Sequence, residues 1–348
     1  MIIYSHPRSG STALLKIYKW LQKNVHGTPQ VLDLGEWLNF GAMHNNKQEQ
    51  GLPAWLDRGR DSEHKWRPFY QGLVQHFIHD ERTEAVEHTY CVVDTDVFDL
   101  DFDDPDFLVR SEERWGSKGY GLAHGDPVGH PLKEVTRTFN SKEDLLHSII
   151  EEYNHRVHYI QKLKKHRVPC VVKIFPNTER PFFVKQNLQQ HMLVTTPQKD
   201  DAIIIANDIS RSVLSLALLL EYKTEGTVHN YQDEKPPVAP EEGKRIKENF
   251  MQVRLLQLDC LYNFISQDTS SNIITKDDLF VKQQICINGV EYNLKEYFDT
   301  ETNREYAMRY TEDLANYFVN TTESIAILHK HILEHHPHIV EKYGIKIE

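Results

Sequence analysis

The chain opens with Met1–Trp20, MIIYSHPRSGSTALLKIYKW, and the reading of this stretch decides the fold. Ile2, Ile3 and Tyr4 have the character of a short strand, and from Ala13 onward the residues suit a helix. Between them lie Ser5, His6, Pro7, Arg8, Ser9, Gly10, Ser11 and Thr12, a loop that opens directly onto a helix N-terminus. The first turn of a helix presents amide groups without intrahelical acceptors and carries partial positive charge, so the place suits an anion of phosphate size. Hydroxyls at Ser9, Ser11 and Thr12 add donors, Gly10 lets a ligand approach the backbone closely, and Arg8 adds a charged fork.

Working outward, strand and helix patterns alternate. Val31–Leu34 in QVLDLGEWLNF suggests a second strand. EDLLHSIIEEYNHRVHYIQKLKKH places Leu146, Ile149, Tyr153, Val157 and Ile160 at three- and four-residue steps, an amphipathic helix with a basic end suited to its dipole. PCVVKIFP and DAIIIAN read as buried parallel strands, the second feeding a helix with Asp208 at its N-cap. Such alternation argues for an α/β fold around a parallel sheet. The expected organisation is a single domain over residues 1–348. It carries an inserted lid or acceptor-facing region at 41–140, where no period is sustained, and a mostly helical extension at 241–348. That extension has a helix over about 241–265 and a hairpin at Asn288–Gly289.

A net charge of −11 argues against a broad basic face for nucleic acid and leaves room for a local cationic pocket. Cys91, Cys170, Cys260 and Cys286 are scattered without Cys-x-x-Cys spacing, so neither a disulfide framework nor a zinc site is expected. With a first strand at Ile2 and no apolar run of spanning length, the expectation is a cytoplasmic protein that does not contact membrane. His331 and His335 have metal-helix spacing, yet no acid sits where a zincin requires it, and a solvated helix is the reading. The acidic run DTDVFDLDFDDPDF lacks the glycine and terminal glutamate of a calcium loop and reads as an exposed loop. Trp37, Trp55, Trp66 and Trp115 suit either a sugar-stacking cleft or packing.

A Walker A loop needs a lysine after its last glycine, and a dinucleotide fingerprint needs three glycines; the first loop has neither. PRSGST directly after an N-terminal strand resembles the 5′-phosphosulfate loop of sulfotransferases, which draw a sulfuryl group from 3′-phosphoadenosine 5′-phosphosulfate (PAPS). A second element of that family, a strand leading into a helix, is similar to AIIIANDISRSVLSLALLLEYKT. Ser215 falls in the place of the family's 3′-phosphate serine. Asn207 stands where the family has an arginine, and Arg211, one helical turn before Ser215, is the substitute cation. The features LGEWLNF and VVKIFP look similar to bacterial and bacteriophage members, and the resemblance covers about residues 1–40 and 168–230.

The resemblance implies a three-layer, P-loop-like sulfotransferase fold that binds PAPS through Arg8, Ser9, Gly10, Ser11, Thr12, Arg211 and Ser215. It also implies an unidentified small-molecule or carbohydrate acceptor. Arg8 and Glu36 are the expected catalytic residues, Glu36 as general base because it follows the second strand at the carboxyl edge of the sheet. No metal is required, since a sulfuryl group carries less charge than a phosphoryl group. His6 is the runner-up base, and Lys173 either reaches the nucleotide or ends its strand in solvent. Two other readings stay open: a nucleotide phosphotransferase, and a non-catalytic structural or binding protein retaining the fold, for which Asn207 speaks.

Overall fold

The computed structural model describes residues 1–28, 30–35, 38, 59–60, 66–67, 73, 76–77, 80–115, 131–176, 191–193, 195–221, 243–267, 271–299 and 314–347. At its centre is a five-stranded parallel sheet flanked by helices, an α/β architecture. Its strands are β1 (Ile2–Ser5), β2 (Leu32–Gly35), β7 (Cys170–Ile174), β8 (Ala202–Ile205) and β9 (Asn272–Thr275), in the order β2-β7-β1-β8-β9. The three inner strands, IIYS, CVVKI and AIII, are buried at every position, whereas the edge strands β2 and β9 alternate or open to solvent. Continuous apolar runs thus mark strands covered on both faces.

Two compact units divide the chain. One comprises Met1, Leu21–Ile174 and Thr178–Thr196. Within it β2 pairs with β7, and a small antiparallel pair joins β3 (Gly59–Arg60) to β4 (Trp66–Arg67). Two eight-residue strands, β5 (Val86–Val93) and β6 (Leu132–Phe139), pair antiparallel throughout. They lie in the stretch that showed no sustained period. Helix α3 (Lys142–Lys165) is capped by Ser141, whose hydroxyl accepts from the Asp144 amide at 3.1 Å. Glu152 of α3 is buried and accepts from the Val93 amide and from Arg156 Nε, at 2.9 and 2.7 Å, which ties the helix to β5. Asp96, Asp99, Asp101, Asp103 and Asp106 of the acidic run are exposed, in keeping with the expectation, and Asp94 is the exception. Asp94 is buried, accepts from Trp115 Nε1 at 3.0 Å and Lys133 Nζ at 3.1 Å, and caps a turn of 3-10 helix at Thr95–Asp99; α2 (Phe107–Trp115) follows. Trp115 is therefore a core residue, only 2% exposed.

The other unit comprises Ile2–Trp20, Phe175–Asn177 and Pro197–Glu348. In it β1 runs parallel to β8, with Ser5 opposite Ile204, and β8 runs parallel to β9, with Ile205 opposite Thr275. The buried Asp201 carboxylate accepts from the amides of Ile2 and Gln198, closing the turn before β8 onto the start of β1. Helices α1 (Ser11–Asn24), α4 (Ile209–Glu221) and α5 (Glu248–Gln267) follow β1, β8 and an irregular segment respectively. Phe264 of α5 packs edge-on against Tyr4 of β1 at 5.6 Å between ring centroids. Helix α5 begins at Glu248, later than the expected 241, because its approach is held extended. Lys244 forms a bridge with Phe318, and the Ile246 amide and carbonyl are both bonded by the Asn320 side chain. Strands β10 (Gln284–Ile287) and β11 (Val290–Asn293) join through Asn288 and Gly289, both at positive φ, the geometry of a tight hairpin. Helices α6 (Lys295–Phe298), α7 (Thr321–His335) and α8 (Pro337–Tyr343) complete the unit.

Candidate anion site at the carboxyl edge of three parallel strands

Strands β1, β8 and β9 lie side by side and point the same way, so the loops that leave them gather at one edge. In open parallel sheets that edge is where ligands bind. The loop after β1 is built tightly. Ser9 is fully buried, and its amide and hydroxyl both donate to the His6 carbonyl, at 3.3 and 2.6 Å. Gly10 has φ of +102°, a conformation in which a side chain is strained, and a Cβ there would stand 3.2 Å from the Phe280 ring and 3.4 Å from Ile204. The first bond of α1 runs from the Leu14 amide to the Gly10 carbonyl at 3.0 Å. Ser11 is buried and Thr12 half-buried.

Arg8 is also left-handed, at φ +67°, which a non-glycine residue adopts only at a cost. Two serines of α4 hold it there: Ser212 Oγ donates to the Arg8 carbonyl at 3.1 Å, and Arg8 Nε donates to Ser215 Oγ at 3.0 Å. Residues far apart in sequence, Arg8 and Ser215, thus meet as a pair. Helix α4 is capped as its sequence suggests, with the Arg211 amide donating to Asp208 Oδ1 at 2.8 Å.

A third cation, which the sequence did not single out, completes the group. Lys276 follows the last residue of β9, and its ammonium is held below the ordinary lysine range by burial first, then by Arg211 and Arg8; Asp208 and Asp277 oppose the shift. Arg8, in the loop after β1, and Arg211, in the first turn of the helix after β8, therefore both stand close enough to Lys276, directly after β9, to disfavour its charge. With the N-termini of α1 and α4 beside them, they form a local excess of positive charge on a chain whose net charge is −11. This donor set suits a multiply charged oxyanion.

Asn207, where the sequence resemblance leads one to expect an arginine, is bonded elsewhere. Its Nδ2 donates to the Tyr343 carbonyl at 3.0 Å, its Oδ1 accepts from the Asp277 amide at 2.9 Å, and its own carbonyl accepts from the Lys346 amide at 2.8 Å. His6 is buried, and burial together with the Arg254 guanidinium lowers its imidazole to about 3, so it is neutral at ordinary pH and a poor proton acceptor. Lys173, in the other unit, is buried within β7 rather than ending the strand in solvent. Glu36, Trp37 and Trp55 lie outside the described residues, as do the side chain of Trp66 and much of the 41–140 region.

Among the described residues, no group of three or more His, Cys, Asp or Glu is arranged to hold a metal ion, and no helix is long and apolar enough to cross a membrane. His331 and His336 instead donate to one oxygen of Asp259 on α5, at 2.7 and 2.9 Å. Compared with known proteins, the chain matches no family model, no curated protein and no solved structure.

Proposed function

We propose that the edge formed by the loops after β1, β8 and β9 binds the phosphate groups of PAPS, and that the chain is a sulfotransferase acting on a hydroxyl or amine of a small-molecule or carbohydrate acceptor. One observation carries this reading: Arg8, Arg211 and Lys276 converge beside two helix N-termini at that edge. The PRSGST sequence of the first loop supports the choice of donor.

Bound PAPS supplies an activated sulfuryl group, and the chain's own residues have four tasks. The Arg8 guanidinium, oriented by Ser215 while Ser212 holds the Arg8 carbonyl, would bind the 5′ end of the nucleotide together with the amides at the start of α1. Arg211 and Lys276 take the remaining phosphate charge. Charge that develops on the leaving phosphate oxygen is met by cations already in place, which is electrostatic preorganisation. Glu36 takes the proton of the acceptor.

Thermal-shift measurements test the reading. Stabilisation by 3′-phosphoadenosine 5′-phosphate, without magnesium and not reproduced by ATP with magnesium, is the expected result; at a hundredfold excess over Kd it amounts to about 2.7 kcal/mol. Stabilisation by ATP with magnesium alone would instead point to a phosphotransferase. Response to neither would favour a non-catalytic protein. The bonds that commit the Asn207 side chain to Tyr343 and Asp277 favour that last alternative over the phosphotransferase.

A further inference from the structure

We infer that the segment closing α8, residues 343–347 and called the tail below, is a working part of the anion site, with Asn207 as the positioning residue that transmits its hold to the turn carrying Lys276. The inference rests on the anion-site reading for its functional consequence and on hydrogen bonds for its geometry.

The connections are direct. Asn207 ends the β8 loop and is 6% exposed. On one side it holds the tail twice, through Nδ2 to the Tyr343 carbonyl and through its own carbonyl to the Lys346 amide. On the other side its Oδ1 accepts from the Asp277 amide, one residue past Lys276. An asparagine amide is rigid and planar, so the direction of Nδ2 fixes the direction of Oδ1. With the tail in place, the amide is pinned at its nitrogen and its oxygen is aimed at Asp277. Without the tail, rotation about the Cβ–Cγ bond is free to turn the oxygen away. The tail is itself seated: Ile345 is buried, its amide donates to the Val340 carbonyl, and Gly344 takes the left-handed conformation that closes α8. Asp278 bonds independently to Thr275, so the Asp277 amide is the specific reporter of Asn207.

What the tail gains for the site is the spacing of like charges. Arg211 and Arg8 disfavour the Lys276 charge, Asp208 and Asp277 favour it, and the position of the turn that carries Lys276 sets that balance. The bond from the Asp277 amide to Asn207 restrains that turn one residue past Lys276.

Amide hydrogen exchange on the full chain tests the inference without any ligand. Asn207→Ala removes the bridge, and Lys346→Pro removes one tail donor while leaving the Asn207 side chain intact. In Asn207→Ala the Asp277 amide should exchange about five- to tenfold faster, the effect of losing one hydrogen bond, and in Lys346→Pro, which loosens Asn207 through its own carbonyl, it should exchange faster by a smaller factor, while in both the amides of Tyr4 and Leu14 keep their protection. Glu341→Ala, at an exposed position of α8, should change nothing. Unchanged exchange at Asp277 in both variants would overturn the inference. In a second arm, titration with 3′-phosphoadenosine 5′-phosphate should show weaker binding in both variants, more so in Asn207→Ala, and equal binding by variants and parent would also overturn it. Absence of binding by the parent refutes the reading of the site, not the tail's hold on Asp277, which exchange decides by itself.

Discussion

Two regions of this molecule gather charge, and they do so in opposite ways. In the first unit, Glu152 and Arg156 are 3% and 2% exposed, and each answers the other across 2.7 Å, with the Val93 amide adding a second donor to the carboxylate. Burial raises the Glu152 carboxyl, while Arg156 and the Val93 amide work against the shift. At the edge of β1, β8 and β9, three cations are brought together. A folded chain gains from opposed buried charges only when both are present, and it gains nothing from gathered like charges until an anion arrives. The first arrangement is therefore structural, and the second, where Asp208 and Asp277 offset only part of the positive charge, is in keeping with the proposed anion site.

The largest effect is expected where the opposed pair is broken. Glu152→Ala removes the carboxylate that answers Arg156 and the acceptor of the Val93 amide, and should cost about 3–5 kcal/mol in denaturant unfolding. Replacing both charges, with Glu152→Leu and Arg156→Met, should recover at least half of that loss; a double variant as unstable as the single one would contradict the structural reading of the pair. Next in size is the acid response of His6. Its folded value is depressed to about 3, whereas an unfolded histidine titrates near 6.5. The unfolded chain therefore takes up the proton first. Stability that is complete above pH 6.5 falls toward pH 3, at about 1.4 kcal/mol per pH unit from this group. His6→Leu should remove that slope between pH 6.5 and 5 in urea melts.

How much of this was legible in the sequence follows from how each part is built. Strands β1, β7 and β8 were readable because a strand covered on both faces must be apolar throughout, and the Asp208 cap was readable because its chemistry is local. Strands β5 and β6 were missed because they mix valine and threonine with charged residues and histidine, so neither period stands out in VEHTYCVV or LKEVTRTF. Strand β9 is four residues, NIIT, and Lys276 was missed with it; recognising a strand there would have placed a cation at the sheet's carboxyl edge. The role of Asn207 depends on residues 70 and 136 positions away, and no local pattern carries that.

On the gathered cations, Arg8→Gly separates binding from folding. Glycine adopts φ +67° without strain, so folding stability should hold within about 1 kcal/mol. Affinity for 3′-phosphoadenosine 5′-phosphate should fall about ten- to a hundredfold by calorimetry, the scale of a lost charged hydrogen bond. A variant that loses stability and keeps affinity would reduce Arg8 to a turn residue.

The smallest and most specific effect concerns Lys276. Burial and the two arginines lower its ammonium in the free protein, so the free site sheds this proton at a lower pH than an ordinary lysine. A bound oxyanion favours the charged form and raises the value again. Binding on the alkaline side must then take up a proton, and affinity must decline as pH rises through the free value and level off above the bound one. Calorimetry in two buffers of different ionisation enthalpy should detect that uptake above neutrality, together with a loss of affinity of a few-fold. Lys276→Met should abolish both the uptake and the decline while leaving weaker, pH-independent binding through Arg8 and Arg211. Persistence of the same alkaline decline in Lys276→Met would mean that the gathered charge does not include this residue, and the contrast with the Glu152–Arg156 pair would then rest on the two arginines alone.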